Sequence, residues 1–204
     1  STSYHNTIMV DDREINPFTG EHLFRMDEKA FPCVRKWECA ADYDYFEGVH
    51  SGYTRFADPV IHQRRILFLK KRNAWLIHDS IFSDHKKAPV GLHDKATIHK
   101  ISVFFHFAPL ELSVSEENRP RIDLSCFGEY GFDLKNHNKI IPTAAGQRND
   151  KAGYLQLLVY PVDAEITVEK GWISPSYGIK IPAPILRMNG KWPCPVFFAY
   201  LITT

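Results

Sequence analysis

Two clusters in this 204-residue sequence bring together side chains able to do chemistry. The first runs Gly48-Val49-His50-Ser51-Gly52-Tyr53-Thr54-Arg55 and sets a basic imidazole, a phenol and a guanidinium around two glycines. His50 and Tyr53 are its candidate catalytic groups, since both residue types serve as proton donors or acceptors. Arg55, with Arg64 and Arg65 on the next apolar run, could grip an anionic sugar through forked hydrogen bonds, so these three are candidate substrate-binding residues. The same arginines suit cross-strand pairing with Glu47, Asp58 or Asp79 equally well. The second cluster is Tyr4-His5-Asn6-Thr7, where an imidazole beside an amide could serve a metal or a carboxylate.

Other chemistries find little support. The ten histidines include no His-x-His pair of the kind a strand face offers a catalytic metal. His78, Asp79, Asp84, His85, His93, Asp94 and His99 are dense, but their spacing fits no tight ligand motif and Lys86-Lys87 opposes a cation, so a solvated loop is expected there. His106, on the polar side of its run, is expected at the surface. No Gly-x-Ser-x-Gly elbow or Gly-rich phosphate loop occurs. None of the four cysteines, Cys33, Cys39, Cys126 and Cys194, lies in a basic, open setting that would activate it. Buried free thiols are expected, with one disulfide as the alternative.

Strands must position these groups. Residues 64–70 and 74–81 are short apolar runs joined by the polar turn Lys71-Arg72-Asn73, the pattern of an antiparallel hairpin, expected near the middle of a sheet. Asp58-Pro59 before this run also permits a helix start, but alternation of Leu67 and Leu69 against Ile66 and Phe68 favours a strand. Further strands are predicted at 6–11, 34–41, 98–108, 121–127, 154–160, 164–169 and 196–203. Trp37, Cys39 and Ala41 should share one face, with Lys36 and Glu38 on a wet one. Ile101, Val103, Phe105 and Phe107 should point inward, with Lys100, Ser102 and His106 outward. The proline-rich residues 172–195 should form an edge or wrapping segment, because proline removes a ladder donor. Spacing and turn chemistry together predict an all-β, antiparallel β-sandwich over residues 1–204 as one unit.

Charge is balanced, with 25 Lys and Arg against 24 Asp and Glu and no basic stripe, so nucleic acid is not an expected partner. No apolar run approaches the length of a membrane-spanning helix, so no membrane partner is expected either.

The segments 5–12 (HNTIMVDD), 47–55 (EGVHSGYTR), the 64–81 hairpin, 104–109 (FFHFAP) and 171–186 (GWISPSYGIKIPAPIL), in this order, resemble the C-terminal β-sandwich of heparinase II/III-like polysaccharide lyases. The resemblance covers nearly the whole chain. It implies a module of a secreted or periplasmic lyase that cleaves an acidic, uronate-containing polysaccharide by β-elimination, joined to an upstream α-helical toroid carrying the catalytic Tyr and Asn or His. It also implies that His5 is the third ligand of a zinc ion whose other ligands, a His and an Asp, lie upstream, so this chain holds zinc only with them. None of those upstream motifs occurs here, and the chain by itself is expected to be inactive. The balanced charge mildly favours an unsulfated uronate polymer such as alginate over a sulfated glycosaminoglycan. A noncatalytic carbohydrate-binding or structural sandwich is the alternative.

Overall fold

The computed structural model describes residues 1–20, 25–84, 97–109, 111–115, 121–125, 130–132, 140–142, 155–160 and 164–203. Two antiparallel sheets carry the fold. The larger has eight strands in the order β2 (Cys33–Cys39), β3 (Tyr43–His50), β4 (Val60–Leu69), β5 (Ala74–Ser83), β14 (Val196–Thr203), β11 (Leu155–Tyr160), β8 (Arg121–Ser125) and β7 (Glu111–Ser115). The smaller has four, in the order β1 (Ile8–Val10), β6 (Ile98–His106), β13 (Ile181–Pro193) and β12 (Glu165–Ile173). A separate two-stranded ladder joins β9 (Tyr130–Phe132) to β10 (Ile140–Pro142). The only helical turns among the described residues are two 3-10 turns, Thr2–Tyr4 and Lys70–Arg72.

Alternation explains the packing. Ile8 and Val10 of β1, Ile101, Val103 and Phe105 of β6, and Leu186 and Met188 of β13 meet Val60, Ile81, Leu157, Val196, Phe198 and Tyr200 from the larger sheet in one buried cluster. Successive side chains on a strand point to opposite faces, so these period-two sets from both sheets close a core between them. The sandwich expected from the sequence is therefore the observed architecture.

The 64–81 hairpin lies where expected. β4 and β5 are the third and fourth strands of the eight, paired from Val60 opposite Ser83 to Leu69 opposite Ala74. Its turn closes at Asn73, whose φ of 45° is a left-handed conformation asparagine tolerates better than most residues. The Asp58-Pro59 segment leads into a strand, not a helix.

Five expectations need correction. The proline-rich segment is not an edge: β13 is a thirteen-residue strand paired on both sides, with β12 and with β6. The reason lies in alternation, since residues along an antiparallel strand aim their polar backbone groups to opposite neighbours by turns. The Pro184 carbonyl accepts the Phe107 N–H at 3.2 Å, so Pro182 and Pro184 face the β6 side, and β6 pairing begins only at Ile185. Pro193 faces the β12 side four residues past the last β12 pair, Glu165 with Asn189. Pro182 and Pro193 thus lie beyond the last pair on the side each faces, and Pro184 sits at the fraying end of the β6 ladder, where its carbonyl still accepts from Phe107.

β2 does not have one wet face. It is an edge strand exposed on both sides, with Trp37 68% exposed, and it ends at Cys39 before Ala41. Cys33 and Cys39 are exposed free thiols; of the described cysteines only Cys194 is buried, and Cys126 lies outside the described residues.

On β6 the inward set is as expected for Ile101, Val103 and Phe105, but Ser102 is buried too, donating to Asn189 Oδ1 at 2.8 Å. The expected solvated loop also divides: Asp79 and His99 are buried strand residues, while His85, His93 and Asp94 lie outside the described residues.

Candidate functional site

Register brings the polar groups together. β3 sets His50 opposite His62 and Gly48 opposite Arg64; β4 then sets Arg64 opposite Asp79. Asp79 is fully buried and binds Arg64 in a fork, Nε to Oδ1 and Nη2 to Oδ2, both 2.7 Å. His62 Nε2 lies 2.8 Å from Asp79 Oδ1, and His62 Nδ1 lies 3.0 Å from His50 Nε2. The chain of contacts ends at Gly52, whose N–H donates to His50 Nδ1 at 3.3 Å. A Cβ on Gly52 would fall 2.8 Å from the Ile15 side chain and 2.9 Å from its carbonyl oxygen, so only glycine fits this approach.

That last bond fixes the proton positions. Because His50 Nδ1 accepts, its Nε2 carries the hydrogen and donates to His62 Nδ1, leaving His62 Nε2 to donate to Asp79. Both imidazoles are satisfied in their neutral forms. Burial first, then the charge His62 would carry if protonated and the Arg64 guanidinium, pushes His50 down to about 3. For Asp79 burial acts upward, but Arg64 and His62 outweigh it and hold the carboxyl well below the usual carboxylate range. Tyr200 is fully buried beside this pair, its phenol pushed upward by burial and by Asp79.

The same network anchors β1. Thr7 and Asp11 turn their backbone groups to β6, through Phe104 N–H to Thr7 O at 3.1 Å and Asp11 N–H to Lys100 O at 2.8 Å. The alternate residues face away from β6, toward the edge. There Arg64 Nη1 donates to Asn6 O, the Tyr53 hydroxyl to Ile8 O at 2.9 Å, and Arg13 N–H to Val10 O at 3.0 Å. Every outward carbonyl from Asn6 to Val10 thus has a donor, which blunts this sheet edge.

The candidate residues therefore occupy distinct places. Tyr53 is fully buried, its hydroxyl spent on Ile8 O and its acidity weakened chiefly by burial. His50 lies within the network at the end of β3, and Arg64 is its centre. Arg55 is exposed and donates to the backbone oxygens of Glu14, Ile15 and Gly52 while stacking on Phe56 at 4.3 Å. Arg65 lies on the opposite face of β4 and pairs with Glu47 at 3.1 Å. His5 is exposed at the entrance of β1, and among the described residues no three His, Cys, Asp or Glu side chains come close enough to hold a metal. His5 brings one ligand and no more.

Sequence reasoning missed His62 and the burial of Asp79. Folding the hairpin about the Lys70–Asn73 turn places Arg64 against Asp79, which was the available signal. It also missed a second buried imidazole, His99, held between Asp11 Oδ2 at 2.8 Å and Asp58 Oδ2 at 3.0 Å. Cys194, whose thiol is pushed up to about 12 by burial and then by these two carboxylates, lies beside them.

The sequence matches the family model described as "Heparinase II/III-like, C-terminal" over residues 1–191. The chain belongs to this family. Solved structures agree on the fold. A heparan sulfate lyase from Pedobacter heparinus superposes with a TM-score of 0.61 at 13% identity, and a protein described as the heparinase III BT4657 gene product does so with 0.63 at 14%. Each alignment covers 99% of this chain but 24% of the neighbour, so the chain spans about a quarter of those proteins' length. No curated protein sequence matches.

Proposed function

We propose that the chain is the β-sandwich wall of a polysaccharide lyase that cleaves an acidic, uronate-containing polysaccharide by β-elimination, with the proton-abstracting groups on an α-helical toroid upstream. Family membership over residues 1–191 carries this reading. The disposition of the candidate residues supports it. β-Elimination needs a base aimed at the proton beside the carboxylate and donors for the developing enolate charge. Here the Tyr53 phenol and the Arg64 guanidinium are committed to β1 and Asp79, and act as positioning residues. What they position is the strand that His5 and Tyr4 precede.

His5 would then supply one imidazole to a zinc ion completed by a His and an Asp upstream, beside the cleft. Export to the periplasm or beyond the cell fits a polymeric substrate too large to enter.

The test is the ultraviolet absorbance of unsaturated uronate ends, comparing this chain with a version extended upstream on heparan sulfate, unsulfated glucuronate polymers and alginate. Signal from the extended protein alone is expected, with His5→Ala lowering its zinc content. Activity in the 204-residue chain would place the chemistry among His50, Tyr53 and the arginines. Silence from both would overturn the reading in favour of a noncatalytic module.

A further inference from the structure

The late segment carrying Trp172 and Lys180 and the first residues of the chain meet at one end of the smaller sheet. β6 ends there at His106, β12 ends at Ile173 and β13 begins at Ile181. The Thr2–Tyr4 turn is pinned across that end, with His106 Nε2 at 2.9 Å from Ser3 O and the His106 N–H on Asn6 Oδ1 at 2.7 Å. Tyr4 thereby reaches Trp172: their ring centroids are 6.1 Å apart and the planes diverge by 47°. The Lys180 ammonium stands 4.4 Å over the Trp172 ring.

Both aromatic rings face solvent, Tyr4 being 60% exposed and Trp172 42%. Neither belongs to the buried core cluster. The other exposed tryptophans differ, since Trp75 is covered by Phe68 at 4.1 Å and Trp37 stands edge-on to Phe46 on the outermost strand. At Trp172 alone among them, a tilted second ring and an ammonium converge.

From this juxtaposition we infer that Tyr4, Trp172 and Lys180 form a subsite for one acidic sugar ring of a polysaccharide. The apolar C–H face of a pyranose carries partial positive charge and suits the electron-rich face of an aromatic ring. A carboxylate on that sugar would draw the single ammonium of Lys180, a point charge free to turn toward it. One charge on two rings fits a uronate better than a heavily sulfated unit, which calls for several cations. The inference rests on the acidic-polysaccharide reading above but not on where catalysis occurs. It makes the chain a binding wall in its own right.

The experiment is calorimetric titration of the chain with an unsulfated glucuronate-containing tetrasaccharide and with its carboxyl-reduced counterpart. The expected result is that Trp172→Ala weakens both ligands about tenfold, as loss of an aromatic anchor does. Lys180→Gln should weaken only the acidic one, by several-fold, and Tyr4→Ala should behave as a milder Trp172→Ala. Circular dichroism checks that each variant is folded, and Lys180→Gln, a surface change, carries the test if Trp172→Ala fails to fold. Affinity unchanged in Lys180→Gln and in a folded Trp172→Ala, or no binding of the acidic ligand by the unaltered chain, overturns the subsite. Lyase assays on the extended protein are independent of this result: product without subsite binding sinks the subsite alone, and binding without product sinks the lyase reading alone.

Discussion

Arg64 holds both oxygens of the fully buried Asp79 with two of its arms while the remaining arm reaches the carbonyl of Asn6, next to His5. One guanidinium thus ties the middle of the larger sheet to the start of the smaller one. A forked pair has the geometry to offset the desolvation of a buried carboxylate, and His62 supplies a further donor.

Removing one partner should therefore cost far more than removing both. Arg64→Met leaves an unpaired buried carboxylate and should destabilise by about 3–5 kcal/mol, with Arg64→Lys rescuing little because a point charge cannot fork. The double variant Arg64→Met/Asp79→Leu should lose clearly less than the sum of the two single changes. Urea unfolding of the four proteins measures the coupling. Additive losses would mean that the two side chains do not depend on each other.

Acid should weaken the fold through the same network. His50 is held down to about 3 in the folded chain against about 6.5 when unfolded, so between those values the unfolded chain binds more protons. Its contribution is complete above pH 6.5 and is lost as pH falls toward 3, with a slope approaching about 1.4 kcal/mol per pH unit. Asp79, also depressed, adds loss of the same sign once pH falls through the ordinary carboxylate range. Denaturant midpoints at pH 7, 5.5 and 4.5 should fall steadily, and His50→Gln should flatten the trend above pH 4.5. A slope unchanged in His50→Gln would assign the acid sensitivity elsewhere.

The sequence displayed its two-residue periods plainly wherever a strand meets the core on one side. Ile101, Val103 and Phe105, and the β4–β5 hairpin, were legible for that reason. Burial of charge was not, because Asp79 and His99 look like solvent-facing groups until a partner on the neighbouring strand or on a distant stretch of chain is known. Hairpin register would have exposed the first; the second depends on Asp11 and Asp58, each far from His99 along the chain. The His50–Arg55 segment appeared to be chemistry because it gathers an imidazole, a phenol and a guanidinium, yet two of these bond to backbone carbonyls near the chain's start. β13 was hidden by a sound rule applied without position and direction: its prolines sit where the ladder on the side each one faces has ended or is ending.

That directional argument is open to test. Pro182→Ala restores a donor beyond the last β6 pair and Pro184→Ala one that faces Phe107 just past the end of β6, and each should shift stability by less than about 1 kcal/mol. Leu186→Pro, two residues on and on the same side, removes a donor directly opposite Phe105 and also empties a core position, so it should prevent folding. Circular dichroism and thermal unfolding distinguish these. Equal damage from all three would show that Pro182 and Pro184 are fixed by something other than their place at the end of the ladder.

Tyr53 offers the narrowest test of how β1 is held. Tyr53→Phe keeps the buried ring and deletes only the hydroxyl, leaving the Ile8 carbonyl on the blunted edge without its donor. The cost should be about 1–2 kcal/mol, the penalty for an unsatisfied buried acceptor, which for a chain of this size lowers the melting temperature by about 2–8 °C. Since Tyr53 supports β1, the loss should also raise hydrogen exchange at the amides that β1 and β6 share, such as Phe104 N–H, more than at those of the β4–β5 hairpin. A Tyr53→Phe chain with no change in melting or exchange would mean that the hydroxyl does not hold β1, and would return Tyr53 to the list of groups free to act on a substrate.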